Sequence, residues 1–125
     1  MDFVSTDGAP AAIGPYSQAT KAGGLVWCSG QVALTPDGGD ALLQQDVTTQ
    51  ARQCLSNLDA VLSEAGSSLD RVLRCTVYLL SMDDFAAVNA VYAEAFGEHR
   101  PARATVAVAG LPKGARVEID AVAEA

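Results

Sequence analysis

The chain has 125 residues, half of them hydrophobic and 18% charged, which is enough to build the core of one globular domain spanning residues 1–125. Its net charge of −7, with only eight scattered basic residues, argues against a nucleic-acid partner, because affinity for phosphates depends on clustered Lys and Arg. No stretch is long and apolar enough to span a bilayer and no secretory signal opens the chain, so we expect no membrane partner.

The first forty residues predict an irregular arm followed by a β-hairpin. The arm, through Pro15, is rich in Pro, Ala and Gly and is typical of an extended segment or loop. Residues 16–22 and 25–31 have strand-like composition and flank the pair Gly23-Gly24. Such a pair favours a tight primed turn, because both of its residues need a positive φ. Residues 35–39 predict a second turn.

From Asp46 onwards the hydrophobic period becomes that of a helix. Apolar side chains recur at intervals of three and four residues from Val47 to Ala65 and form one continuous stripe. Asp46 is a natural N-cap residue, and Gly66 is placed to end the helix. The sequence therefore predicts an amphipathic helix between these two residues.

The second half of the chain predicts a strand, a helix and two further strands. Residues 72–80 are apolar nearly throughout, which suits a strand covered on both faces. A capping-box pattern from Ser81 to Asp84 precedes a second helical stripe that Gly97 ends. Residues 104–109 and 117–123 predict two final strands, which we interpret as one hairpin.

These elements follow the order ββ-α-β-α-ββ. They predict an α+β fold in which both helices pack on one face of a mixed sheet. The other face has no helix left to cover it, although the strand over 72–80 is apolar on both sides. Another subunit is the simplest cover, so the sequence predicts an oligomer.

The three cysteines, Cys28, Cys54 and Cys75, have no paired spacing, and any disulfide scheme leaves one thiol over. Reduced thiols of a cytoplasmic protein fit this pattern best. Because the chain has a single histidine and no Cys/His pair, the sequence predicts no metal site.

Two charged residues in the last strands are candidates for chemistry. Arg103 begins a strand of small and branched residues. It either captures a ligand carboxylate through its planar guanidinium or serves as an exposed or structural arginine. Glu118 lies between Val117 and Ile119 and either activates a water or belongs to a solvated strand face. In one hairpin, the two charged side chains could lie close together.

Other polar positions allow more than one interpretation. The segment Ser29–Gln31 ends a strand, and its glycine either permits close approach of a ligand or marks a bulge. Tyr16 either walls a pocket or packs against neighbours. Asn89 lies in the middle of a helix, where it could bond to a neighbouring strand, and His99 suits a surface loop.

Several motifs resemble the RidA/YjgF family of reactive-intermediate deaminases. In chain order they are Ala11–Ala19, Ser29–Gln31, Gln50–Gln53, Val88–Tyr92, Pro101–Val106, Leu111–Lys113 and Val117–Ile119. The matches run in order over essentially the whole chain, which makes the resemblance specific. It implies a chorismate-mutase-like fold assembled as a homotrimer with clefts between subunits.

The same resemblance implies a reaction and its residues. Arg103 would bind the carboxylate of the substrate, and Glu118 would hold the hydrolytic water. The implied substrate-binding set also contains Tyr16, Ser29, Gly30, Gln31, Asn89, Ala104 and Thr105. The small carboxylate substrates would be 2-aminoacrylate-type enamines and 2-imino acids, which are converted to 2-keto acids and ammonia without a cofactor.

Two departures from the family pattern affect these expectations. Thr105 stands where many deaminases have a cysteine, and we expect this position to act through its backbone. Arg100 occupies a short loop where longer members carry an aromatic residue, which leaves the accepted substrate side chain open. A trimer that binds keto acids without turnover is the main alternative function. RNA cleavage is a further one, which the net charge disfavours.

Overall fold

A computed structural model describes residues 1–125 as a six-stranded sheet with two α-helices. The elements are β1 (Asp2–Val4), β2 (Ala19–Ala22), β3 (Leu25–Gln31), α1 (Val47–Glu64), β4 (Val72–Leu79), α2 (Phe85–Phe96), β5 (Ala102–Ala107) and β6 (Val117–Glu124). The strand order is β1-β2-β3-β6-β4-β5, and every pair is antiparallel except β4–β5. The predicted α+β class, a mixed sheet carrying two helices, is confirmed. Neither helix has the length and hydrophobicity needed to cross a membrane.

The turn between β2 and β3 and both ends of α1 lie where the sequence predicts them. Gly23 and Gly24 turn β2 into β3 with φ angles of 60° and 77°, which only glycine adopts without strain. The carboxylate of Asp46 accepts a hydrogen bond from the Thr49 amide at 2.9 Å and so caps α1. Gly66, with φ of 82°, follows the last turn of the helix.

The start of α2 differs from the predicted capping box. The Ser81 hydroxyl accepts a hydrogen bond from the Asp83 amide at 3.1 Å, so it caps a short 3₁₀ turn, and α2 begins at Phe85. The Asp84 carboxylate makes no hydrogen bond to the Ser81 amide, as a capping box would require. It pairs instead with Arg116 at 2.9 Å, which ties this turn to the segment before β6.

Two buried amide side chains connect α1 to the loops beside the sheet. Gln50 donates to the carbonyls of Leu43 and Gln45 and accepts from the Arg116 amide. Asn57 donates to the carbonyls of Val32 and Leu34, just after β3. Because an unpaired buried amide is costly, these bonds hold both segments in place against the helix.

The structure differs from the sequence prediction at both ends of the sheet. The expected arm contains a short strand, β1, which pairs with β2. The prediction of a final hairpin is wrong. β5 and β6 do not pair with each other, because β4 lies between them. β5 follows β4 through α2 and pairs parallel to it, as strands joined by a helix commonly do. The connection from β5 then returns the chain to the other edge of β4.

The two faces of the sheet are different. On β6, Val117 and Ile119 are fully buried towards the helices, whereas Glu118 points to the opposite side. No helix covers that side, which we call the open face. It carries Trp27 at 50% and Val106 at 43% relative exposure, so large apolar surface remains there in the single chain.

Candidate functional site

Seven of the nine predicted site residues line two separate cavities. The Glu118 cavity, of about 370 Å³, contains five of them: Tyr16, Ser29, Gly30, Gln31 and Glu118. The Arg103 cavity, of about 360 Å³, contains two of them: Asn89 and Arg103. Ala104 and Thr105, on β5, line neither cavity.

Glu118 lies against a β-bulge at the end of β3. Between Cys28 and Gln31 the pairing with β6 shifts by one residue, which leaves an extra residue on β3. Gly30 lies in this bulge, and a methyl group there would lie 2.8 Å from the carboxyl carbon Cδ of Glu118. Glycine at this position therefore lets the carboxyl group rest directly on the backbone of β3.

The electrostatic environment of Glu118 favours its protonated form. Burial raises the pKa of this carboxyl group, and the neighbouring Asp120 carboxylate raises it further. Asp120 itself accepts hydrogen bonds from the Tyr78 hydroxyl at 3.0 Å and the Thr76 amide at 3.1 Å. Glu118 therefore gains and loses its proton at a higher pH than an ordinary glutamate, a property common to carboxyl groups in functional sites.

Ser29 and Gln18 build the wall of the Glu118 cavity that lies nearest the arm. The Ser29 hydroxyl donates to the Ser17 carbonyl at 2.6 Å. This bond joins the residues just before β2 to the end of β3. The Gln18 side chain accepts from the Thr6 amide at 2.7 Å and donates to the Pro10 carbonyl at 2.8 Å. Gln18 had no place among the predicted site residues, although it belongs to the motif that contains Tyr16.

Two other residues of this cavity leave polar groups free. Tyr16 is half-exposed, and its hydroxyl accepts a hydrogen bond from the Ile13 amide at 3.3 Å. The Gln31 side chain is buried and makes no hydrogen bond within the chain. The cavity thus combines a carboxyl group, an amide and a phenol with an apolar wall formed by the arm.

Arg103 points to the helix side of the sheet. Its backbone pairs with that of the buried Cys75, and its guanidinium carbon lies 4.8 Å from the Tyr92 ring centroid and 5.8 Å from that of Phe85. These contacts are cation–π interactions. Arg103 forms no ion pair and no hydrogen bond within the chain, so its donors are free for a ligand. The sequence analysis treated the aromatic residues of α2 only as part of a helical stripe and did not predict this support for Arg103.

The surroundings of Arg103 contain further polar groups without partners. The Thr105 hydroxyl is buried and has no hydrogen-bond partner, and the buried Tyr92 hydroxyl has only the weakly bonding Cys75 thiol beside it. Asn89 lines the Arg103 cavity, and it makes none of the strand hydrogen bonds that its helical position allowed. An unpartnered buried polar group is costly, which makes the Thr105 hydroxyl a candidate for contact with a ligand or a second subunit.

The cysteines lie outside both cavities. Cys28, Cys54 and Cys75 are all buried and unpaired. Burial raises the pKa of Cys28 to about 12 and that of Cys75 to about 11, so neither thiol is ionised near neutral pH. The cysteines are therefore not candidates for the chemistry of either cavity.

Comparison with known proteins gives one consistent result. A family described as "Endoribonuclease L-PSP" matches residues 6–125. A mouse protein named 2-iminobutanoate/2-iminopropanoate deaminase is 47% identical over 120 residues, which cover 96% of this chain and 88% of the mouse protein.

Two solved structures agree closely with the fold. The structure of RidA from the Antarctic bacterium Psychrobacter sp. superposes with a TM-score of 0.95 at 41% identity and covers all of both chains. The structure of E. coli TdcF with bound serine superposes with a TM-score of 0.94 at 39% identity and covers 100% of this chain and 99% of TdcF.

Proposed function

The chain belongs to the Endoribonuclease L-PSP family, which includes the YjgF/RidA proteins, and from this premise we propose that it hydrolyses 2-imino acids and their enamine tautomers to 2-keto acids and ammonia. The observation that carries the proposal is the free guanidinium of Arg103 at the wall of a cavity. The name of the mouse relative and the serine bound to E. coli TdcF support a small substrate with a carboxylate.

The proposed reaction divides its work between two residues. Arg103 binds the substrate carboxylate through two parallel hydrogen bonds. Glu118 takes a proton from a water, whose oxygen forms a bond to the imine carbon. Glu118 passes this proton to the nitrogen as the C=N double bond becomes a single bond. The new hydroxyl group then gives up its proton, which Glu118 also transfers to the nitrogen, so the C–N bond breaks, ammonia leaves with the bonding pair, and the carbon becomes the carbonyl of the keto acid. Because the imine carbon is already electrophilic, positioning supplies most of the catalysis.

The reaction requires a second subunit. β4 separates the strands of Arg103 and Glu118, and the two side chains point to opposite faces of the sheet. We therefore propose a homotrimer in which the Arg103 cavity of one subunit meets the Glu118 cavity of the next. The exposed Trp27 and Val106 on the open face support burial of that face against another copy.

The remaining predicted residues have auxiliary roles in this proposal. Thr105 and Ala104 continue the strand from Arg103 and present backbone groups to the bound carboxylate. Tyr16 and Gln31 line the Glu118 side, where their free polar groups contact the reacting end of the substrate. No cofactor is needed. We also propose a cytoplasmic location, because three unpaired thiols suit a reducing compartment.

Two other functions predict different results in the same assays. A binding module would need only Arg103 and would hold keto acids without releasing any product. A ribonuclease, which the family description suggests, would need a cationic surface. Three of the eight basic residues here are paired with carboxylates, and the net charge is −7.

The decisive experiment generates 2-imino acids in situ with an amino-acid oxidase and follows keto-acid release. Semicarbazide is added to trap the free imine, so an active deaminase competes with the trap and lowers the semicarbazone signal. We expect this competition with the wild-type protein and light scattering to give the mass of a trimer. Semicarbazone formation that is unchanged by the protein would reject the deaminase, and a monomer mass would reject the intersubunit site.

A further inference from the structure

The Arg103 cavity contains a second arginine. Arg100 lines it together with Arg103, and none of the residues that line this cavity is acidic. The charge of the whole chain is −7, with 15 acidic residues against eight basic ones. This cavity, with two guanidinium groups and no carboxylate, is therefore positively charged although the protein as a whole is negatively charged.

Neither arginine is neutralised by the protein. Three other arginines, Arg52, Arg71 and Arg116, form ion pairs with carboxylates. Arg100 and Arg103 form none. Two like charges that share one cavity without a carboxylate partner repel each other, and an anion that contacts both removes this repulsion.

Arg100 is held in a position that leaves half of its guanidinium available. Its Nη1 group donates to the carbonyls of Gly97 and His99, at the end of α2. A guanidinium has five N–H donors, so the Nε and Nη2 donors remain free. These are the donors that form a planar fork for a carboxylate.

The two arginines are also close in the chain. Only Pro101 and Ala102 lie between them, so their Cα atoms are three steps apart, which is at most about 11 Å even in a fully extended segment. Arg103 lies on the Tyr92 ring, and Arg100 lies at the loop side of the same cavity. Because both side chains line the same cavity of about 360 Å³, one small molecule with two carboxylates within it has an arginine available for each.

We infer that the preferred substrates carry a second carboxylate in their side chain and are the 2-imino acids of four- and five-carbon dicarboxylic keto acids. Arg103 binds the carboxylate next to the imine carbon, and Arg100 binds the side-chain carboxylate. This inference rests on the proposed function, because it assigns the substrate class of the same site. Arg100 is thus a residue that determines specificity and takes no part in the hydrolysis itself.

The test compares imines generated from aspartate or glutamate with the imine generated from alanine. In the wild type, kcat/KM should favour the dicarboxylic imines. Arg100→Gln should lower kcat/KM for these by about 10-fold or more, because a charge-assisted contact is lost, and should affect the alanine imine much less. Arg100→Lys should retain part of the preference, because it keeps the charge without the planar fork.

Arg52→Gln is the matched control, since it removes the same charge from an exposed ion pair outside the cavity. It should leave the ratio of the two kcat/KM values unchanged. A ratio that is the same in the wild type and in Arg100→Gln would overturn the inference.

Product binding separates this inference from the proposed function. Calorimetry with oxaloacetate or 2-ketoglutarate and with pyruvate requires no turnover. If no imine is hydrolysed, the deaminase proposal fails, yet tighter binding of the dicarboxylates that Arg100→Gln abolishes would still support the second carboxylate contact. Equal affinity of the wild type for both classes would reject it.

Discussion

Gly30 lies directly beneath the carboxyl group of Glu118, so closely that any side chain at residue 30 would displace it. The relationship depends on the bulge that ends β3, which brings the backbone up to β6 at this one point. The position of the Glu118 carboxyl group therefore depends on the absence of a side chain at Gly30 as well as on β6.

Gly30→Ala should displace the Glu118 carboxyl group and lower kcat for imine hydrolysis by about 10- to 100-fold, because a shift of about 1 Å in a catalytic group is costly. Gly110→Ala is the control, since Gly110 has an ordinary φ and no neighbour within 4 Å of the added methyl group. Steady-state kinetics of both variants measure the effect. Equal activity of the two variants would show that the contact with Gly30 does not position Glu118.

Substitution of the two charged residues should affect different kinetic constants. Arg103→Ala should weaken substrate and product binding by about 10- to 150-fold, with only partial rescue by lysine. Glu118→Gln should lower kcat by about 100-fold or more with little change in keto-acid affinity. The measurements are kcat, KM and calorimetric product binding. Normal turnover by Glu118→Gln would show that Glu118 does not activate the water and is only a charged residue on a solvated strand face.

Mixing the two inactive variants should restore activity if each site uses two subunits. Arg103→Ala and Glu118→Gln proteins, unfolded together and refolded as mixed trimers, should regain up to about a quarter of the wild-type sites, as random assembly of a cyclic trimer predicts. Each variant refolded alone is the control and should stay inactive. If the mixed trimers have no activity, Arg103 and Glu118 of different subunits do not form a shared site, and the intersubunit proposal is rejected.

The pH dependence of kcat/KM should report the raised pKa of Glu118. The base form is the active one, so activity should fall as the pH drops through a pKa that lies above the ordinary glutamate value. Asp120→Asn removes a neighbouring negative charge and should move this acid limb to lower pH. Tyr78→Phe removes the hydrogen bond to Asp120 but keeps the charge, so it should leave the limb in place. An unmoved limb in Asp120→Asn would contradict this assignment.

Tyr92 should matter through its ring and not through its hydroxyl. Tyr92→Phe keeps the ring under Arg103 and removes a hydroxyl whose one polar neighbour is the weakly bonding Cys75 thiol, so KM should be unchanged and stability should fall little. Tyr92→Leu should raise KM by about 2- to 30-fold through loss of the cation–π contact. Val91→Ala removes buried apolar volume from the same helix at a position that does not line the Arg103 cavity. A similar rise of KM in Val91→Ala would mean that general packing of α2, and not the Tyr92 ring, supports Arg103.

Sequence by itself determined the local features of this protein. The turn at Gly23-Gly24, the cap at Asp46 and the apolar stripe of α1 each depend on residues within one or two turns of each other. The same is true of Arg103 and Glu118 as candidates, because a charged residue in an apolar strand is visible without any knowledge of its neighbours. The helices, most of the strands and both charged candidates were therefore predictable.

Only the tertiary structure decided which of these residues meet. Two strands with the same alternating pattern can pair with each other or with a third strand, and the pattern does not distinguish these arrangements. Insertion of β4 between β5 and β6 placed Arg103 against Tyr92 on the helix side and Glu118 above Gly30 on the open face. These contacts join residues far apart in sequence, since they arise from strand order and sheet face, and no local signal carries that information.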